Sequence, residues 1–168
     1  ITTYPNKQLF TAAKDIPKDQ IKSDTYTQVG SSMLEILRKK GGIGLSANQV
    51  GLPFNMCVIE LTSGNCKILL NPRIIKQSDN MMQSNEGCLS LPGITAKVNR
   101  HQKVTVEYED VTGETQSYEA FGLESCCLQH EIDHLKGVLM INRLTEFHKG
   151  KALKQLYKFK KNRNGRQL

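Results

Sequence analysis

His130 and His134 stand four apart in the run Cys-Leu-Gln-His-Glu-Ile-Asp-His-Leu, 127–135. On a helix that spacing brings both imidazoles to one face, where they can grip a single divalent cation. Glu131 follows the first histidine and can act on a water beside the cation. The plainer reading is a surface helix with two unrelated histidines. Leu128, Ile132 and Leu135 weigh against it, because they give the remaining faces an apolar character that suits a central helix. A catalytic centre normally takes three protein ligands and leaves one position open to water. A third ligand is therefore needed.

Reach along the helix narrows the choice. Cys126 shares the histidine face, but an ion between His130 and His134 lies about 9 Å further along the axis, at about 1.5 Å per residue. A cysteine side chain plus a metal–sulfur bond of about 2.3 Å does not cover that gap. Cys127 points about 100° away around the helix. Both are better suited to packing or to lining a pocket. Downstream, the long zinc-protease motif would need a histidine at Met140, and Glu146 and His148 lie in a polar, basic context. Cys57 falls in an apolar run, and Cys66 follows the polar residues Thr62, Ser63, Gly64 and Asn65. That leaves Cys88, in Glu86-Gly87-Cys88-Leu89-Ser90-Leu91-Pro92-Gly93. A Gly- and Pro-punctuated stretch suits a bent strand whose backbone approaches a site closely. Taken locally, this cysteine is as readily a core thiol as a ligand.

The elements that must position these residues follow from periodicity. Val29, Met33, Ile36 and Leu37 mark one face of a helix over 25–40, ended by the Gly41–Gly42 pair. Residues 54–61 read as a buried strand and 66–70 as another, stopped by Asn71–Pro72. Residues 104–109 alternate, then a turn at 110–114 leads to a partner strand over 115–121. A helix runs over 123–136 and carries the two histidines. A last helix covers 146–160, with Ala152, Leu153, Leu156 and Tyr157 facing inward. The order predicts an α+β fold, mostly antiparallel sheets around the central helix of 123–136, with one helix near each end.

The chain has 168 residues, enough for one domain with a sizeable core. No apolar stretch is long enough to cross a bilayer. The five cysteines are odd in number and form no CxxC pair, which argues for a reducing compartment and against a zinc ribbon. The start, Ile-Thr-Thr-Tyr-Pro, has no apolar signal core and reads as mature protein, and its lack of an initiator Met is read as a missing residue, tag or longer presequence. The expected compartment is the cytoplasm of a bacterial or virus-infected bacterial cell, or an organelle after transit-peptide removal. The net charge is +7, but eight of the 23 Lys and Arg lie in 147–168, which holds no acidic residue. The other 15 face 16 acidic residues, so the body is not a DNA-binding surface, and contact with a polyanion belongs to a basic tail over 145–168. A solvated charged face with a frayed end is the commoner explanation of such a charge run.

Three segments, in order, resemble the peptide deformylases. They are Gly42-Ile43-Gly44-Leu45-Ser46-Ala47-Asn48-Gln49, Glu86-Gly87-Cys88-Leu89-Ser90, and Gln129 to Leu135 around His130-Glu131-Ile132-Asp133-His134. The resemblance runs from about Tyr4 to Asn142. It implies one catalytic domain over 1–168 that removes the formyl group from the N-terminal formylmethionine of nascent polypeptides. It implies Cys88, His130 and His134 as ligands of one divalent metal, usually Fe2+ in cells, with Zn2+, Ni2+ or Co2+ as replacements. It implies Glu131 as general base and acid, with the Gln49 side chain and the Leu89 backbone N–H stabilising the oxyanion. Ile43, Gly44, Glu86, Gly87, Leu123, Cys126 and Cys127 are implied around the substrate.

By the same resemblance the C-terminal basic helix contacts ribosomal RNA, while no membrane contact is expected. Ser46 stands where alanine is usual. Ser84 and Thr95 stand where some relatives carry a larger apolar residue and an arginine, so the resemblance does not extend to contacts beyond the first substrate residue. Asp133 and Arg100 form either a pair that holds the central helix or a plain surface ion pair. Rival readings are a zinc endopeptidase, which would leave the Cys88 segment unexplained, a ribosome-binding module without catalysis, and a structural metal domain.

Overall fold

A computed structural model describes residues 1–22, 24–60 and 65–164. A short helix α1 (Lys18–Ile21) precedes the long helix α2 (Asp24–Lys40). Strands β1 (Gly44–Ser46), β2 (Met56–Glu60), β3 (Cys66–Gln77), β4 (Met81–Gly87), β5 (Thr95–His101), β6 (Lys103–Glu109) and β7 (Thr115–Phe121) follow. Helices α3 (Leu123–Leu135) and α4 (Glu146–Asn164) complete the chain. Five strands form one sheet in the order β1-β2-β3-β6-β7, and β4 pairs with β5 in a second. Every pairing between these strands is antiparallel, as the α+β reading expects.

Helix α3 is the hub. Its residues from Ser125 to Leu135 are all buried, and it packs against strands of both sheets. Leu128, Ile132 and Leu135 join Cys57, Leu69, Val104 and Val106 of the large sheet in one apolar cluster. A helix enclosed on every side can present polar side chains only to an internal site or to buried partners. Helix α2 covers a second cluster. Tyr26, Gly30, Met33, Leu34 and Leu37 are its buried positions, so the expected face is turned slightly and Val29 and Ile36 sit at its margins. The helix stops where Gly42 N–H bonds to the Leu37 carbonyl and Gly41 N–H to that of Arg38, the paired bonds of a glycine-ended helix.

Two expected features are corrected. Asn71–Pro72 does not stop the third strand, because β3 runs on to Gln77. Asn71 takes φ +50, a value asparagine tolerates better than most residues, and its side chain bonds both the N–H and the carbonyl of Ile16 at 2.8 and 2.9 Å. The register against β6 shifts between Leu70 and Arg73, so Pro72 lies in a bulge where its missing N–H costs no ladder bond. Tyr157 does not face inward but is exposed. Ala152 and Leu156 are buried as expected and pack with Leu91, Ile94 and Met140. Leu61, the run Thr62 to Gly64 and the last four residues of the tail lie outside the described residues.

Candidate metal centre

The two histidines enter from α3, and Cys88 enters from the turn immediately after β4. Cys88 is thus past the strand end rather than within a bent strand. The three ligand atoms lie within 4.8 Å of one another, and all three residues are buried. Cys88 Sγ is 3.1 Å from His134 Nε2. One soft sulfur and two imidazoles form a donor set that suits a first-row divalent ion. Burial keeps His134 below the ordinary histidine range, so it offers a lone pair rather than a proton. Burial also works to lower His130, but bonds to Cys88 and Glu86 outweigh it and hold His130 well above that range. A proton held among such acceptors is what a cation displaces on binding. The donor set therefore fits a metal.

The other thiols do not compete. Burial raises the thiols of Cys57, Cys126 and Cys127, and a protonated thiol is a poor ligand. Among the described residues, the potential metal-holding cluster contains none of them.

Glu131 is fully enclosed beside this cluster, and its Oε2 has no hydrogen-bond partner among the described residues. Burial pushes its carboxyl up to about 7, only partly offset by His130 and by a bond from Ser46. Such a group can take and return a proton near neutral pH. Gly44 lets it come so close: a Cβ on Gly44 would lie 2.6 Å from Glu131 Oε1 and 2.7 Å from Cys127 Sγ.

Gln49 is fixed at both ends of its amide. Its Oε1 accepts from Ser46 N–H at 3.0 Å and from Ser46 Oγ at 2.9 Å. Its Nε2 donates to Ser90 Oγ at 3.1 Å and lies 3.8 Å from Cys88 Sγ. The amide NH2 is therefore aimed at the metal cluster. Ser46 and Ser90 are positioning residues that reasoning from the sequence misses. The Ser-x-x-Gln spacing of a capping box at 46–49 is the available signal for Ser46.

Behind the ligands lies a buried ion network. Glu86 accepts from Arg100 Nε and Nη2 at 2.8 and 3.0 Å, and its Oε2 is 2.9 Å from His130 Nδ1. Burial would raise Glu86, but the bonds from His130 and Arg100 prevail and hold its carboxyl at about 2. Arg100 Nη1 also reaches Asp133 at 2.5 Å, and Arg143 Nε adds a further bond to Asp133 at 3.0 Å. Arg100 is only 3% exposed, so the Arg100–Asp133 pair is buried rather than a surface pair. Arg143 carries no signal in the sequence, since it joins the network from the turn after α3.

The cluster opens into a cavity of about 610 Å3, within the range of about 300–1,000 Å3 usual for ligand pockets. Ile43, Gly44, Gln49, Glu86, Gly87, Leu89, Leu123, Cys126 and Cys127 border it together with Cys88, His130 and Glu131. The side chain of Glu86 is already occupied by Arg100 and His130. Ile1, Ile43 and Leu123 are exposed apolar residues of the lining. Strand β1 lies at the edge of its sheet, and among the described strands β4 pairs only with β5.

A family model described as polypeptide deformylase matches residues 1–150. The chain belongs to the polypeptide deformylase family. A curated peptide deformylase of Brucella suis biovar 1 is 44% identical over 142 residues, covering 82% of this chain and 79% of that protein. A peptide deformylase 1B structure from Arabidopsis thaliana, solved with an inhibitor, superposes with a TM-score of 0.87 at 35% identity, over 99% of this chain and 92% of that one. A peptide deformylase structure from Legionella pneumophila gives 0.90 at 30% identity, over 98% and 96%. Membership makes the chain an enzyme of the peptide deformylase class. The α+β architecture of antiparallel sheets around a central helix is shared with these deformylase structures.

Proposed function

We propose that the chain removes the formyl group from the N-terminal formylmethionine of nascent polypeptides, using one divalent cation held by Cys88, His130 and His134. The observation that carries this reading is the meeting of those three ligand atoms beside a buried carboxylate, Glu131, that keeps one oxygen free. A cation held there would supply Lewis acidity, polarising the formyl oxygen and acidifying water toward neutral pH.

The chain's own residues supply the rest. Glu131 takes the proton of the attacking water and delivers it to the leaving amine, a role that suits a carboxyl near 7. Gln49 Nε2 and the Leu89 N–H donate to the formyl oxygen as charge gathers there. The Gln49 amide is already oriented by Ser46 and Ser90, so little reorganisation is needed during reaction. The peptide backbone pairs with the free edge of β1 at Gly44 like an added strand. Ile43, Leu123, Cys126, Cys127 and His130 surround the methionine side chain, and Glu86 and Gly87 border the substrate beside them.

We assign Fe2+ as the metal in cells, with Zn2+, Ni2+ or Co2+ as replacements, and the cytoplasm of a bacterial or virus-infected bacterial cell as the compartment. Residues 1–168 are read as one catalytic domain, with about 145–168 as a basic C-terminal helix and tail. The exposed lysines of α4 are read as a contact for ribosomal RNA phosphates. Deleting residues 158–168 should abolish co-sedimentation with ribosomes, and retained co-sedimentation would remove that role.

The decisive test is formate release from formyl-Met-Ala-Ser by protein purified without oxygen, with its metal content measured alongside. Glu131→Gln should keep the metal and lose turnover by about 10²–10⁴-fold. A near-normal rate in that variant would overturn the assignment of the base.

A further inference from the structure

Helix α4 does more than pack. Phe159 lies directly against the backbone of Gly93, where an added Cβ would be 2.4 Å from the Phe159 ring. Gly93 also takes φ +78, so the position is closed to a side chain by both space and conformation. Lys160 Nζ donates to the carbonyl of Tyr4, while Leu156 one turn earlier is fully buried. The last turns of α4 are therefore fastened to the Pro92–Gly93–Ile94 turn, which lines the cavity beside the metal cluster.

Arg163 follows Phe159 by four residues and lies on the same helix face. It lines the cavity together with Pro92, Gly93 and Ile94. Lys40, the last residue of α2, also lines it. Neither cation makes an ion pair with another described residue. The lining carboxylates are Glu86 and Glu131, both buried, and Glu86 is bound by Arg100 and His130. Among the described residues, nothing in the lining neutralises these two exposed cations. The cavity at about 610 Å3 also has room for more than a formyl group and one side chain.

We propose that Arg163, aided by Lys40, is a specificity-determining residue that selects substrates with acidic side chains in the positions after formylmethionine. The proposal rests on the deformylase reading and assigns the C-terminal helix a part in substrate choice. Exposed cations act by attraction that salt screens, and each exposed pair contributes a modest factor.

The test compares three peptides with amidated ends: formyl-Met-Asp-Glu, formyl-Met-Ala-Ser and formyl-Met-Lys-Lys. At low salt, kcat/KM should favour the acidic over the basic peptide by about three- to tenfold, mostly through KM. The ratio should fall toward one in about 0.5 M salt. Arg163→Ala should shrink the ratio, Arg163→Lys should retain most of it, and Arg163→Glu should turn it toward the basic peptide. Turnover of all three peptides at equal efficiency would overturn this proposal and leave the deformylase reading standing. No turnover of any formylated peptide would overturn both. An equal loss on all three peptides in Arg163→Glu would mark a merely structural role for the residue and overturn the proposal.

Discussion

Glu86 Oε2 lies 2.9 Å from His130 Nδ1, and the same carboxylate is held by Arg100 at 2.8 and 3.0 Å. One ring nitrogen of His130 is thereby fixed, which leaves the other facing Cys88 and His134. The carboxylate is itself fixed by a buried guanidinium that also grips Asp133 on the histidine helix. The ligand geometry is thus set by a chain of buried charges that ties β4, β5 and α3 together.

Replacing Glu86 by glutamine keeps the shape and removes the charge that orients His130. We expect metal affinity to fall about 10–100-fold, read by competition with a chelator of known affinity. Unchanged affinity would mean that the carboxylate does not tune the ligand.

Arg100→Met removes the one cation shared by two buried carboxylates, Glu86 and Asp133. Loss of one partner from a buried ion pair costs about 3–5 kcal/mol. The urea midpoint should fall accordingly. Arg100→Lys should recover little, since an ammonium cannot make the two-pronged bond to Glu86. A midpoint equal to that of the parent protein would show that the network contributes no stability.

Gly44→Ala places a methyl group where the Glu131 carboxylate and the Cys127 sulfur now stand. The strand should persist while the base shifts by a fraction of an ångström or more. We expect kcat to drop by about 10²-fold with the fold retained, checked by formate release beside a circular dichroism spectrum. Full activity would show that the close approach is not needed.

Leu128→Ala opens a void in the cluster where α3 meets the large sheet, since Leu128 is fully buried. The expected cost is about 2–5 kcal/mol, measured by chemical denaturation. A loss below about 1 kcal/mol would mean that the central helix is less tightly enclosed than its burial implies.

Removing the metal should also lower stability, because an ion that binds only the folded chain adds to its free energy of unfolding. Chelation followed by thermal melting should show a lower Tm, restored by adding back the metal. Identical melts with and without metal would argue against a tightly held ion.

Much of this molecule is legible in its amino-acid sequence. The histidine spacing puts both imidazoles on one helical face because a helix repeats about every 3.6 residues, and Leu128, Ile132 and Leu135 require that the helix be enclosed. Alternation at 104–109 and 115–121 predicts the hairpin of β6 and β7. Reach along the helix disqualifies Cys126, because the rise per residue limits how far its sulfur extends. Only the folded chain brings Cys88 within 3.1 Å of His134, since a contact spanning 46 residues depends on how β4 packs against α3 and not on any local period. The same holds for Arg100, whose partners lie 14 and 33 residues away, and for Arg143 and Arg163, which look like ordinary surface charges in the sequence. Local periodicity determines which element a residue joins and which way it faces. Which distant charges and ligands then meet is decided by tertiary packing, where burial makes each unpaired group costly and so selects its partner.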